Sequence, residues 1–274
     1  MVLTAPIPAD AALDFFVATP RRPAAQGEAN PFWRELDRRR VGLAGHSGAG
    51  SISLEVGQTD PRVTAVVSWD RSRSFDPRSL EITTPTLLMT GDANYFFLDD
   101  DFQPVREPLG TPEPGTKWAD LDLFRNAEVP AMLVSVRAGT HGDVLRLPQT
   151  CILCSRYGQR VYAYYTLAWF DRHLKGAKDG RMARDALARL TATTFDDSAD
   201  VSALDMGTFD PDVGNIPVTI EGMPVVDRLS FYRTSGWWLG RGRAFQCADM
   251  RAGLRDGSCH SFARPGQPRP PGHT

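Results

Sequence analysis

The stretch Val41-Gly42-Leu43-Ala44-Gly45-His46-Ser47-Gly48-Ala49-Gly50 constrains this chain more than any other. Its first four residues read as a short buried strand, and the residues carrying Ile52, Leu54 and Val56 read as a helix that Asp60-Pro61 ends. Between strand and helix, Ser47 has very small neighbours two residues before it (Gly45) and two after it (Ala49). A sharp strand-to-helix turn strains its backbone and demands that spacing, because larger side chains would collide with the helix or the strand. Alanine at the second position is a mild departure from the usual glycine. Such a turn lifts the Ser47 hydroxyl clear of the sheet edge and aims the Gly48 amide at a developing oxyanion, helped by the helix N-terminus. The competing reading is a glycine-rich turn without chemistry, or a phosphate-binding loop.

The rest of the chain repeats the alternation of strand and helix. Further strands are expected over 63–68, 86–90 and 131–136. Four apolar runs separated by helices or long crossovers imply an α/β fold, a mostly parallel sheet covered by helices on both faces. Asp10 is expected to cap a first helix with an apolar stripe of Leu13, Phe16 and Val17, stopped by Pro20. A helix over 161–175 is expected to bury Tyr165, Leu167, Ala168 and Leu174. From about residue 185 a short helix (183–190) gives way to strand-like pieces at 216–220 and 229–232. The expected division is a core over 1–180, a β-rich appendix over 181–262 and an unstructured Pro-rich tail over 263–274.

Charge narrows the class of partner. The chain has 31 basic against 33 acidic side chains, so it lacks the basic excess of a nucleic-acid binder. No apolar run approaches the roughly 18–20 residues of a membrane span, and the first residues do not read as a signal peptide. A soluble protein is expected, with export possible if the true N-terminus lies upstream. Cys151 and Cys154 form a C-x-x-C pair, but Cys247 and Cys259 are too distant for a zinc ribbon. Structural cysteines or disulfides are expected, with no metal and no cofactor.

A serine at such a turn needs a base and an acid, in the chain order Ser, then Asp or Glu, then His. Of five histidines, His46 lies within the turn and is expected to line the site or pack. His260 and His273 fall in the terminal region, and His173 in Trp169-Phe170-Asp171-Arg172-His173 reads as a surface or helix-terminal residue. His141 remains, in a loop after the fourth strand. Two acids compete, Asp70 at the end of the second strand and Asp92 after the third. Trp69, Tyr95 and Phe96 follow strand ends and are candidates to line an apolar pocket, with ordinary packing as the alternative.

Together GHSGAG, AVVSWD, TPTLLMTGD, GTHGD and YTLAWFDRHLKG resemble the α/β-hydrolase superfamily, over about residues 10–178. More narrowly they are similar to bacterial cutinase-like and platelet-activating-factor acetylhydrolase-like serine esterases. The acetylhydrolase-like arrangement implies Asp70 as the acid, whereas the cutinase-like one implies the position held here by Asn94. The resemblance implies a serine hydrolase of small esters or lipid-like substrates, using Ser47, Asp70, His141 and the Gly48 amide. It also implies strands and an oxyanion loop ahead of the turn, yet only 46 residues precede Ser47. The expectation is therefore a core lacking its first strands, either active or retained for binding alone.

Overall fold

The computed structural model describes residues 9–25, 27–71, 80–91, 123–124, 127, 129–136, 141–142, 144, 157–176 and 179–190. It also describes, as backbone only, the strand segments 219–220, 223–224, 233–238, 243–247 and 259–263. Four parallel strands lie side by side in the order β1 (Val41–His46), β2 (Val63–Trp69), β3 (Thr86–Gly91), β4 (Ala131–Val136), with β1 at the sheet edge among the described residues. All six residues of β3 are buried. A strand covered on both faces has no polar side to show, which is why its sequence does not alternate.

Successive side chains of a strand point to opposite faces, and the two cores follow that rule. Ala65, Val67, Leu87, Met89, Met132 and Val134 pack under α3 (Tyr157–Phe170), against its Val161, Tyr165 and Trp169. Val66, Leu88 and Leu133 pack on the other side, with Leu54 of α2 (Gly48–Thr59) and Leu13 of α1 (Ala9–Val17); Val63 joins them out of alternation, where the β1–β2 register shifts. The fold is α/β, with helices on both faces of a parallel sheet.

Several local expectations need correction. Asp10 is not the cap of α1 but lies within its first turn. Phe16 is exposed, so Leu13 supplies the anchor of that helix. Leu167 is 57% exposed rather than buried. It lies two residues from both Tyr165 and Trp169, which at 3.6 residues per turn puts it on the opposite face of α3. Past Phe170 the helix widens into a π turn, Asp171–Lys175, with the Gly176 N–H donating to the Asp171 oxygen at 2.6 Å. His173 stands at this helix end, as one of the two expected placements has it, but half-buried rather than open to the surface. It follows Trp169 by four residues and so shares its inward face, the two rings 4.4 Å apart between centroids. Burial, with the neighbouring Arg172 charge, pushes the His173 pKa down to about 3.

Helix α4 (Gly180–Leu190) precedes the β-rich part. There β5 (Thr219–Ile220) pairs with β6 (Met223–Pro224). Strands β7 (Arg233–Trp238), β8 (Arg243–Cys247) and β9 (Cys259–Ala263) run antiparallel and extend the main sheet beyond β4. The expected piece at 216–220 overlaps β5. The piece at 229–232 and the tail beyond Ala263 lie outside the described residues, as do Cys151 and Cys154. No helix among the described residues is long and apolar enough to cross a membrane.

Candidate active site

Parallel strands end on one side, and their register puts the candidate residues along one edge. His46 is opposite Trp69, and Trp69 is opposite Met89. Ser47, Asp70 and Thr90 therefore each stand one residue beyond that line, at the carboxyl ends of β1, β2 and β3. His141 comes from beyond the end of β4, whose last residue is Val136.

The turn at Ser47 is built by its neighbours. Ser47 has φ 57° and ψ −124°, a conformation that side-chain-bearing residues rarely adopt. Its N–H donates to the Trp69 oxygen at 3.0 Å, and its own oxygen accepts from the Ser51 N–H at 3.2 Å. These bonds tie the strained residue to β2 on one side and to α2 on the other. Gly45 is obligatory, since a Cβ there would run into the Ala49 carbonyl and stand 2.5 Å from the Ser53 hydroxyl. Gly48 opens α2, so its N–H has no carbonyl one helical turn behind it within the helix. That leaves a donor at the positive end of α2, next in sequence to the Ser47 hydroxyl.

The structure brings Ser47, His141 and Asp70 together. His141 Nε2 lies 3.0 Å from Ser47 Oγ, and Nδ1 lies 2.6 Å from Asp70 Oδ2. A carboxylate only accepts, so Nδ1 carries the proton toward Asp70 and Nε2 is left to accept from the serine hydroxyl. Asp70 is only 6% exposed and has φ 39°, a left-handed conformation that Asp tolerates better than most residues. Its N–H donates to the Met89 oxygen at 2.6 Å. The Thr90 hydroxyl donates to its second carboxylate oxygen, Oδ1, at 2.7 Å. Both carboxylate oxygens thus have a hydrogen-bond partner.

Two aromatic side chains flank this set. The His46 ring packs on that of His141, and its Nε2 lies 2.7 Å from the His141 backbone oxygen. Trp69 is half-buried against the α3-side core, with its indole N–H donating to Thr166 Oγ1 at 2.9 Å. Tyr95 and Phe96, and the rival acid Asp92 with Asn94, lie outside the described residues. Thr90 carries no mark in the sequence. It ends an apolar run, and only the register of β3 beside β2 delivers it to Asp70. Among the described residues no group of three or more His, Cys, Asp or Glu side chains could hold a metal ion.

No protein-family model matches the chain, and no curated protein does. Among solved structures 90 chains match. One is a ferulic acid esterase from Streptomyces cinnamoneus, 25% identical, the match covering 57% of this chain and 46% of that one with a TM-score of 0.37. The chain thus spans under half the length of that esterase.

Proposed function

We propose that this chain is a serine-dependent hydrolase of carboxylic esters, working through an acyl-enzyme on Ser47. The observation that carries the reading is one imidazole, His141, within hydrogen-bond reach of both a strained serine and a buried carboxylate. His141 Nε2 takes the proton of Ser47 as Oγ attacks the ester carbonyl, and the Gly48 N–H receives the developing oxyanion. The imidazolium returns that proton to the departing alkoxide, which leaves as an alcohol. Water then attacks the acyl-enzyme, giving a proton to His141, and the acid product leaves with Ser47 restored. Asp70 stays ionised throughout and holds the imidazole in the tautomer that each step needs.

The acid at the end of β2 supports an acetylhydrolase-like arrangement over a cutinase-like one. The substrate class is a small or lipid-like ester, with Trp69 at the carboxyl end of β2 as the described aromatic side chain placed to meet its acyl part. The test is hydrolysis of p-nitrophenyl acetate by the wild-type chain and by Ser47→Ala. The reading expects turnover that falls at least about 10³-fold in the variant. A variant that keeps full activity, or a folded wild-type chain with none, refutes it. The second result favours a hydrolase-like protein kept for binding.

A further inference from the structure

His141 sits beyond the end of a strand, yet a base must be placed to within a fraction of an ångström. Its ring is held by Asp70 from β2. Its main chain has a separate hold. His46, the last residue of β1, puts Nε2 2.7 Å from the His141 carbonyl oxygen, and the two rings lie 4.5 Å apart at 40°. A carbonyl only accepts, so His46 Nε2 bears the proton and donates. Burial, with the adjacent His141, keeps the His46 pKa below its ordinary value, so near neutrality the ring is uncharged. An uncharged donor can pack beside the base without opposing the imidazolium that forms there.

We infer that His46 is a positioning residue, which rests on the reading of Ser47 as nucleophile. It links the loop bearing the base to the residue next to the nucleophile, through an N–H···O=C bond and a ring contact. Base and nucleophile then move as one unit. Asp70 sets the angle of the imidazole, and His46 sets where its backbone stands. The role calls for a side chain that reaches across the turn and donates, which leucine cannot do and glutamine can.

The experiment compares wild type, His46→Leu, His46→Gln and Ser47→Ala as full chains, with p-nitrophenyl acetate kinetics, thermal unfolding and fluorophosphonate labelling. His46→Leu should lower kcat by about 10²-fold, the scale of a 1 Å misplacement, with KM and Tm close to wild type. His46→Gln, whose amide N–H can reach the same carbonyl, should recover most of the loss. A His46→Leu chain with wild-type kcat, a change in KM alone, or a glutamine no better than leucine overturns the inference. Should either variant fail to fold, nitrogen NMR of the wild type decides. Neutral His46 protonated at Nε2 is expected, and protonation at Nδ1 overturns the role. If Ser47 labels while His46→Leu is unaffected, only this inference falls. If wild type neither labels nor hydrolyses, the proposed function falls with it.

Discussion

Replacing Asp70 by asparagine removes one charge and little else. The backbone there has φ 39°, which asparagine accepts as readily as aspartate, so the turn itself is not at risk. The side chain is buried between the Thr90 hydroxyl on one oxygen and His141 Nδ1 on the other. With its carbonyl oxygen accepting from Thr90, the amide would present N–H groups to Nδ1. Nδ1 must then accept, which moves the ring proton to Nε2, and a protonated Nε2 cannot take the Ser47 proton. Loss of the tautomer in this way costs about 10⁴-fold in kcat, or about 5.4 kcal/mol of barrier. Since both hydrogen bonds are replaced, stability should change by less than about 1 kcal/mol. Asp70→Ala should be clearly less stable, by about 1–2 kcal/mol, because alanine in a left-handed conformation has no local hydrogen bond in return. Ester kinetics with thermal unfolding by circular dichroism read both quantities. An asparagine variant that keeps more than a tenth of kcat, or unfolds as early as the alanine variant, refutes the reasoning.

Other consequences follow from the same geometry. Ser47→Gly should unfold at a higher temperature than Ser47→Ala, since glycine relieves a positive φ that stores about 1–3 kcal/mol. An alanine variant at least as stable as the glycine one counts against strain at the turn. Gly45→Ala should destabilise more than Gly42→Ala. At Gly45 the new methyl meets the Ala49 backbone, while at Gly42 it meets Phe170 and Leu174 side chains at 2.6 and 2.9 Å, which can shift. Urea unfolding of the two variants checks the order. Stability should also fall as pH drops below 6.5. His173 has a pKa lowered to about 3 and His46 is lowered too, so the unfolded chain takes up protons that the fold refuses. The stability is present in full above pH 6.5 and lost progressively toward pH 3, with a slope of at most about 1.4 kcal/mol per pH unit for each group. His173→Phe should flatten it between pH 6.5 and 4.5, and an unchanged slope contradicts the burial of that ring.

The turn at Ser47 was legible because its demand is steric, and Gly45 and Ala49 answer it within the local sequence. The four parallel strands were legible for a similar reason, since a doubly covered strand such as β3 is one continuous apolar run. Asp70 and His141 could be named from their places at strand ends, and the structure sets them on either side of one hydrogen-bonded contact. Thr90 could not be named, because its bond to Asp70 depends on the relative register of β2 and β3, which no single segment encodes. The His46 contact was hidden likewise, as it joins residues 46 and 141 through a main-chain oxygen that carries no residue-specific signal. His173 was legible as a helix-terminal residue but its burial was not, because charged neighbours in sequence surround a position whose spacing from Trp169 turns it inward. Leu167 shows the reverse error, an apolar residue on the wet side of its helix.

The central claim is that the Ser47 hydroxyl is made nucleophilic by His141. Treating the folded chain with a fluorophosphonate and mapping the adduct by peptide mass spectrometry addresses it directly. The account predicts one adduct, on Ser47, absent after heat denaturation and strongly slowed in His141→Ala. A folded chain that stays unmodified at Ser47, or reacts equally well without the imidazole, contradicts it.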